Sequence, residues 1–300
     1  MKLSEIKQIL AEHHIRLSKS LGQNFLHDGN QLRRIVAAAD LKRSDKVLEI
    51  GPGLGPLTQL FLEQAGEAVA IEKDARLVEV LRRRLDAGQA SGSSQPRQAS
   101  GSEPGHAPVL RLIHDDALDY LRRQACDWSE WKLVSSLPYS VASPILVELA
   151  QAERGPQRLV VTVQLEVARR LVARPGDAHY GLLTLLIQLS YTPLRLFKIP
   201  ACCFFPEPEV DSACVSMARR AQPLLTLAER EVFSKVVKRG FSQRRKMMLK
   251  PLKQDWPIKA LQEAFGSVGL LPQVRAEAVS LEQFVRLARR LTVNSKGADA

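Results

Sequence analysis

The feature that most constrains the fold of this chain is a glycine-rich turn between a predicted strand and a predicted helix. The apolar run Lys46–Ile50 leads into residues 51–55 (GPGLG), and a helical pattern of leucines follows. A second strand–helix unit comes directly afterwards, and its strand at 68–71 ends in Glu72. Two such units in a row predict an α/β fold with a parallel, doubly wound sheet.

Strand and helix patterns alternate up to residue 219, and helix patterns alone follow. Five more strand candidates lie at 109–113, 132–135, 159–163, 195–199 and 214–217. After Arg220 the apolar residues keep helical spacing, in runs at 227–238, 244–252, 258–265 and 281–291. Because 300 residues are long for one hydrophobic core, we expect an α/β domain over 1–219 and a small all-helical domain over 220–300.

One segment of the first domain differs in composition. Residues 88–108 are rich in Gly, Ser, Pro and Gln and have no apolar period, so they have nothing to bury. A linker between two domains is the alternative, but the α/β pattern resumes directly afterwards. We therefore predict a flexible surface insertion.

The net charge of +11 is concentrated in one part of the sequence. Residues 219–253 contain eleven Lys and Arg but only two Glu. A charge run is usually a solvated helix face, but an excess of one sign favours a surface for the phosphates of a nucleic acid, ahead of a membrane surface. The candidate contacts are Lys238, Arg239, Arg244, Arg245 and Lys246.

Several other classes of protein fit the sequence poorly. The four cysteines form no CxxC pair and no zinc spacing, which favours a reduced compartment and no structural metal. The longest apolar stretch, 182–189, is too short for a bilayer, and the first twenty residues contain no signal-peptide core. We expect a cytoplasmic protein without a membrane span.

Two acidic residues frame the glycine turn. Glu49 precedes Gly51 by two residues, and Glu72 follows it by 21 residues, where a carboxylate can hold ribose hydroxyls. This spacing fits a dinucleotide enzyme and an S-adenosylmethionine enzyme almost equally, and a tight turn without a ligand is also compatible with it. The acid two residues before the first glycine favours the methyl donor.

Polar residues also lie at the carboxyl ends of the next two predicted strands. Asp116 suits the exocyclic amine of a bound adenine, although on its own it is more typical of a helix N-cap. Residues 136–139 (SLPY) close the strand at 132–135. Pro138 holds Leu137 in an extended backbone, which would turn the Leu137 carbonyl outward beside the hydroxyl of Ser136.

Two acceptors aimed at one point suit a planar exocyclic NH2 group, since they hold both of its protons. Tyr139 adds a face on which a base can stack. A strand-end turn with a buried tyrosine is the alternative, and the glycine turn makes the base-binding interpretation the better one.

The chain resembles the KsgA type of small-subunit ribosomal RNA adenine N6-dimethyltransferases from about residue 18 to 290. In chain order, the matching segments are 21–26 (LGQNFL), 49–55 (EIGPGLG), 116–118 (DAL), 136–139 (SLPY), 164–171 (QLEVARRL) with Tyr180 and Gly181, 204–212 (FFPEPEVDS) and 243–246 (QRRK). All the motifs occur in the order that is typical of this family.

This resemblance implies a mostly parallel, seven-stranded Rossmann-like methyltransferase domain followed by a helical RNA-binding domain. It implies S-adenosylmethionine as donor, with no metal. The acceptors would be two adjacent adenines in the 3′-terminal hairpin loop of small-subunit (16S) rRNA, within 30S assembly intermediates. The protein would act as a monomer.

The resemblance also implies roles for individual residues. The cofactor contacts would be Gln23, Asn24, Leu26, Gly51, Gly53, Glu72, Asp116, Ala117 and Ser136. The catalytic site would consist of Ser136, Leu137, Pro138, Tyr139 and Phe204, with the target base between Tyr139 and Phe204. Bases bound in this way must be unstacked, which favours a single-stranded loop.

Three positions depart from the family pattern: Ser136 replaces Asn, Asp115 replaces Gly, and Leu165 replaces Lys. They favour a second hypothesis, an RNA-binding assembly factor with weak or lost activity, although a scaffold has no need of a complete donor pocket. A third hypothesis is an antibiotic-resistance methyltransferase of large-subunit rRNA, but LGQNFL resembles the small-subunit type more closely. An NAD-dependent oxidoreductase is excluded, because no set of residues for hydride transfer accompanies the glycine turn.

Overall fold

The computed structural model describes residues 1–17, 22–90, 108–124, 126–243 and 246–296. Its strands are β1 (Phe25–Leu26), β2 (Lys46–Ile50), β3 (Glu67–Glu72), β4 (Val109–His114), β5 (Trp131–Ser136), β6 (Arg158–Gln164), β7 (Tyr191–Ile199), β8 (Phe204–Phe205) and β9 (Ser212–Arg219). All seven strands expected from the sequence are present. The short strands β1 and β8 were not expected.

Seven of these strands form one sheet, in the order β4-β3-β2-β5-β6-β9-β7. Strands β4, β3, β2, β5 and β6 run parallel to one another, and β9 is antiparallel to β6. The predicted fold class, a mostly parallel Rossmann-like sheet, is confirmed. Strands β1 and β8 form a separate antiparallel pair.

The helices are α1 (Leu3–Glu12), α2 (Gly29–Ala39), α3 (Pro56–Leu62), α4 (Ala75–Ala90), α5 (Ala117–Arg123), α6 (Ala142–Gln151), α7 (Leu165–Val172), α8 (Leu182–Gln188), α9 (Leu227–Phe241), α10 (Leu249–Leu252), α11 (Ile258–Ser267) and α12 (Leu281–Lys296). Single 3-10 turns lie at Ala201–Cys203 and Ala276–Ala278. Among the described residues, no helix is long and apolar enough to cross a membrane.

The sheet has a switch point between β2 and β5. From β2 the chain proceeds to β3 and β4 on one side, whereas β5 is followed by β6 on the other side. Because parallel strands end at the same edge, the carboxyl ends of β2, β3, β4 and β5 meet there. Ligands of open α/β sheets bind in the crevice outside such a switch point.

The central strands are continuous apolar runs because helices cover both faces of the sheet. In β2, Val47, Leu48 and Ile50 are buried, and in β3 Ala68 to Ile71 are buried as well. A core cluster beneath α2 and α3 contains Val47, Phe61 and Val134. This packing leaves only the strand ends available for a site.

The described chain divides into two compact units. The first comprises Met1–Ala168 with Leu194–Arg219, and the second comprises Arg169–Pro193 with the chain from Arg220 onward. The expected division into 1–219 and 220–300 stays a prediction, and these units differ from it in one segment. Within the second unit, Tyr180 of this segment donates its hydroxyl hydrogen to the carbonyl oxygen of Val279 over 2.7 Å.

Two predicted element boundaries were wrong. Residues 88–90 of the expected insertion belong to α4, while 91–107 lie outside the described residues. Of the expected helix over 244–252, residues 244 and 245 lie outside the described residues, and among the others only α10 is helical, with Pro251 in the second half of its single turn.

Candidate active site

A cleft opens at the carboxyl ends of β2, β3, β4 and β5, with about 920 Å³ of space including its open mouth. The cleft is lined by most of the residues that the sequence singled out: Gln23, Asn24, Gly51, Gly53, Glu72, Asp116, Ala117, Ser136, Leu137, Pro138 and Tyr139. The donor motifs and the acceptor motif therefore share one cavity, and this cavity lies within the first unit.

The glycine turn after β2 leaves no room for side chains. Gly53 has a φ of +60°, and a Cβ atom added there would lie 2.8 Å from Cε1 of Phe25. A Cβ atom on Gly51 would lie 3.1 Å from Cγ of Pro138. The bare backbone of this turn therefore forms one wall of the cleft, between Phe25 and Pro138.

Glu72 closes β3 with its carboxylate fixed by backbone amides. Its Oε2 accepts from the amide of Gly53 over 3.1 Å, and its Oε1 accepts from the amide of Asp74 over 2.9 Å. Burial raises the pKa of Glu72, and these two amides oppose that effect. Each carboxylate oxygen retains a lone pair, so the group can accept from a ribose diol.

Glu49 lies beneath the glycine turn and does not line the cleft. It is 1% exposed, and its Oε2 accepts from the hydroxyl of Thr58 over 2.5 Å. Burial raises the pKa of Glu49 from 4.5 to about 8, and the nearby charge of Glu72 adds to this shift. Glu49 is thus a buried support of the turn.

Asp116 both caps a helix and lines the cleft. Its Oδ1 accepts from the amides of Leu118 and Asp119 over 2.9 and 3.2 Å, which makes it the N-cap of α5. Its Oδ2 accepts from Nζ of Lys73 over 2.8 Å. This bond to Lys73 is the main cause that lowers the pKa of Asp116. Both interpretations of this aspartate are therefore compatible with the geometry.

The acceptor motif continues directly from β5. The amide of Leu137 donates to the carbonyl oxygen of Thr162 over 3.0 Å, and the amide of Val141 donates to that of Pro138 over 3.1 Å. The hydroxyl of Ser136 has no hydrogen-bond partner within the described ranges. The phenol of Tyr139 lies 2.6 Å from Oγ of Ser212.

The segment before β1 contributes the residues that would close over a donor. Gln23 donates from Nε2 to Oδ2 of Asp74 over 2.9 Å, and Asn24 donates from Nδ2 to the carbonyl oxygen of Gly22 over 3.3 Å. Asp74 also pairs with Arg76, which donates from Nη2 over 2.6 Å. This aspartate joins the loop after β3 to the segment before β1.

Two of the predicted site residues do not line the cleft. Leu26 and Phe204 are cross-strand partners in the β1–β8 pair, and both are 3% exposed in the core cluster of Val47 and Phe61. Successive side chains of a strand point to opposite faces, so it is Phe25 that lines the cleft instead of Leu26. The role of Phe204 as half of a base sandwich stays a prediction.

Sequence reasoning also missed Phe25 and Lys73 as cleft residues. Phe25 is central in the motif LGQNFL, and Lys73 directly follows the acid of β3. Their adjacency to predicted site residues was the available signal.

The predicted RNA contacts lie in the second unit. Lys238 and Lys246 are exposed, while Arg244 and Arg245 lie outside the described residues. Arg239 donates from Nε to Oδ2 of Asp255 over 2.6 Å, and Lys235 binds Oδ1 over 2.9 Å. Part of the basic run is thus neutralised within the helical unit.

No group of three or more His, Cys, Asp or Glu side chains that could hold a metal ion occurs in the part of the chain that the structure describes. The four cysteines are free thiols.

A sequence model of the family Ribosomal RNA adenine dimethylase matches residues 14–293. The chain belongs to this family. It is therefore an S-adenosylmethionine-dependent rRNA adenine dimethyltransferase. The cleft fits the donor, because bare glycine backbone forms one wall of it and the fixed carboxylate of Glu72 lies beside that wall.

Similar proteins agree with this membership. A ribosomal RNA small subunit methyltransferase A of Clostridium perfringens is 35% identical over 96% of this chain and 97% of its own length. One of Pelotomaculum thermopropionicum is 36% identical over 94% of both chains.

Two solved structures share the fold. The 23S rRNA methyltransferase ErmE is 27% identical with a TM-score of 0.65, over 89% of this chain and 99% of its own. A dimethyladenosine transferase of Plasmodium falciparum is 22% identical with a TM-score of 0.73, over 91% of this chain and 98% of its own.

Proposed function

We propose that this chain dimethylates N6 of two adjacent adenines in the 3′-terminal hairpin loop of small-subunit rRNA. Its substrate would be a 30S assembly intermediate, and it would act in the cytoplasm as a monomer. Curated relatives named small subunit methyltransferase A support the choice of subunit. The observation that carries the proposal is that the SLPY segment and the glycine turn line one cleft.

The residues on the donor side of the cleft bind and orient S-adenosylmethionine. Glu72 accepts hydrogen bonds from ribose hydroxyls, Asp116 accepts from the adenine amine, and Gln23 closes over the bound molecule from the segment before β1. When bound, S-adenosylmethionine supplies an electrophilic methyl group on a sulfonium. The glycine turn lets the backbone approach it closely.

The acceptor side of the cleft holds the target amine. The carbonyl oxygen of Leu137 and the hydroxyl of Ser136 accept the two N6 protons, which directs the nitrogen lone pair along the line of attack. With the amine held in this way, the bound donor would supply the methyl group, and the nitrogen would release one proton to water. The face of Tyr139 stabilises the positive charge that develops on the base.

The RNA would be held by phosphate contacts in the helical unit. Lys238 and Lys246 are exposed and available for this role. Each phosphate that they neutralise releases counterions, so binding weakens as salt concentration rises.

A second candidate function is an assembly factor that binds RNA but transfers methyl groups weakly or not at all. The departures at Ser136, Asp115 and Leu165 favour it. The departure at Ser136 affects the proposed chemistry most directly, since there a hydroxyl replaces an amide among the residues that would hold the target amine. Asp115 lines the cleft and is ion-paired with Arg123.

One experiment separates the two functions. Small subunits that lack adenine methylation are incubated with the protein and radiolabelled S-adenosylmethionine, then digested with nuclease and chromatographed. We expect label in dimethyladenosine of the 3′-terminal hairpin, and none with the Tyr139→Ala variant. Tight binding of the subunit without transferred label would contradict the enzymatic proposal and support the assembly factor.

A further inference from the structure

A hydrogen bond links the cleft to the far half of the sheet. The phenol oxygen of Tyr139, which follows β5, lies 2.6 Å from the hydroxyl oxygen of Ser212 at the start of β9. Ser212 is 0% exposed, so no water competes for its hydroxyl. The motif FFPEPEVDS therefore reaches the acceptor site through its final serine.

Ser212 is itself held firmly in place. It is paired with Gln164 in the β6–β9 register, and the preceding carbonyl, of Asp211, accepts from the amide of Leu165 over 2.9 Å. The carboxylate of Asp211 accepts from the amide of Ala201 over 3.0 Å and pairs with Lys198 over 2.6 Å. These bonds fix the backbone on both sides of the serine, so its hydroxyl is a rigid anchor.

Tyr139 is thereby fixed at both ends. Its backbone lies in the turn closed by the bond from the amide of Val141 to the carbonyl of Pro138. Its ring end is fixed by Ser212. Between these two points the ring cannot rotate freely about χ1 and χ2, and the direction of its face is set before a base arrives. Stacking depends on that direction, since the π-face and the ring edge differ in charge.

We propose that Ser212 is a positioning residue for the methyl acceptor and acts through Tyr139. This inference rests on the proposed function, in which Tyr139 stacks against the target base. Ser212 touches neither donor nor base. Losing its hydroxyl releases the ring and lowers the fraction of bound adenines that are aligned for attack, while the donor side stays unchanged.

A double-mutant cycle tests this. Ser212→Ala and Tyr139→Phe remove the same hydrogen bond from opposite ends, and the second leaves β9 intact. We expect each to lower the single-turnover rate of methyl transfer about three- to tenfold, the range of one hydrogen bond. The double variant should be no slower than the slower single variant, because nothing more is lost. Affinity for S-adenosylhomocysteine, measured by calorimetry, should stay within about twofold in all three.

The matched control is Ser216→Ala on the same strand. Ser216 is 2% exposed and pairs with Val160 in the β6–β9 register, four residues further along β9 than Ser212. The Ser216→Ala substitution removes a buried serine hydroxyl from β9 without changing the acceptor site, so the rate of methyl transfer should stay that of the wild type. A loss of rate in this control equal to that of Ser212→Ala would show that the effect is a general one of β9, which overturns the inference.

The remaining outcomes separate the inference from the proposed function. Additive losses in the cycle, or normal rates for both single variants, would overturn the positioning role of Ser212. If Tyr139→Ala abolishes transfer while those two variants are normal, the stacking role stands and the inference alone fails. If Tyr139→Ala is fully active, the stacking role itself is wrong.

Discussion

Gln23 donates a hydrogen bond from its side-chain amide to Oδ2 of Asp74 over 2.9 Å. The same carboxylate binds Arg76 over 2.6 Å, and the backbone amide of Asp74 donates to Glu72 over 2.9 Å. One buried residue, Asp74, 7% exposed, therefore joins the ribose-binding candidate Glu72, through its backbone amide, to the segment that would cover the donor, through its carboxylate.

Replacing this carboxylate should weaken donor binding. Asp74→Asn keeps the size of the side chain but loses its charge, so the bonds to Arg76 and Gln23 weaken together. Hydrogen bonds to charged groups contribute about 1.5–3 kcal/mol, so we expect affinity for S-adenosylhomocysteine to fall about tenfold or more in calorimetry. Asp127→Asn is the control, since that surface aspartate also pairs with an arginine, Arg154, but lies outside the cleft. Unchanged affinity in Asp74→Asn would refute this role.

The glycine turn permits a comparison at matched backbone strain. Gly53 and Gly269 have φ values of +60° and +71°, so an alanine costs each about 1–2 kcal/mol of strain. A Cβ atom at Gly53 meets Phe25 at 2.8 Å, whereas nothing lies within 4 Å of one at Gly269. We expect both variants to melt at a lower temperature and only Gly53→Ala to lose donor affinity. Equal affinities would contradict the close approach inferred for this turn.

Glu49 should make stability depend on pH. Its pKa of about 8 in the fold lies above the ordinary value of 4.5, so between these limits the native state holds a proton that the unfolded chain has released. Stability therefore falls as pH rises through this window, by an amount on the order of a few kcal/mol. Glu49→Gln cannot titrate and should melt with a flatter profile from about pH 5 to about pH 8. Glu67→Gln, at the more exposed start of β3, is the control, and parallel curves for Glu49→Gln and wild type would count against the prediction.

Ser136 can be tested against both alanine and the family residue. Ser136→Ala removes one of two acceptors for the N6 protons, and we expect transfer to slow about ten- to a hundredfold while donor affinity stays nearly intact. Ser136→Asn restores a side-chain carbonyl and should transfer at least as fast as the wild type. Rates come from single-turnover labelling of subunits, and Ser129→Ala in a surface turn is the control. A collapse of donor affinity in Ser136→Ala would mean that the assigned role is wrong.

Two neighbouring cations of α9 should behave differently. Lys238 is exposed, and Lys238→Gln should reduce the slope of log affinity against log salt for RNA by about 0.7–0.9 without changing the melting temperature. Arg239 is bound to Asp255, so Arg239→Gln should lower the melting temperature. Binding titrations at several salt concentrations and thermal unfolding measure both effects. A change of slope in Arg239→Gln but not in Lys238→Gln would contradict these two roles, because it would make Arg239 the RNA contact.

The sheet and the location of the cleft can be predicted from the sequence alone. Its seven strands are local apolar runs bounded by turn residues, and the ends of β2, β3 and β5 carry the glycine turn, Glu72 and the SLPY segment. Local periodicity suffices for these elements because an apolar run of strand length bounded by turn residues is itself the signal of a buried strand. The order of the motifs along the chain then predicts which strand ends carry the functional residues.

Which side chains contact one another depends on the three-dimensional fold. The pairing of Phe25 with Phe205, the bond from Gln23 to Asp74 and that between Tyr139 and Ser212 all join residues that lie far apart along the chain. A two-residue strand such as β1 has no periodicity of its own, so its pairing, and with it the choice of Phe25 over Leu26 as the cleft residue, depends on the whole fold. Hydrogen bonds between distant side chains leave no local pattern, since the sequence records the partners but not the distance between them.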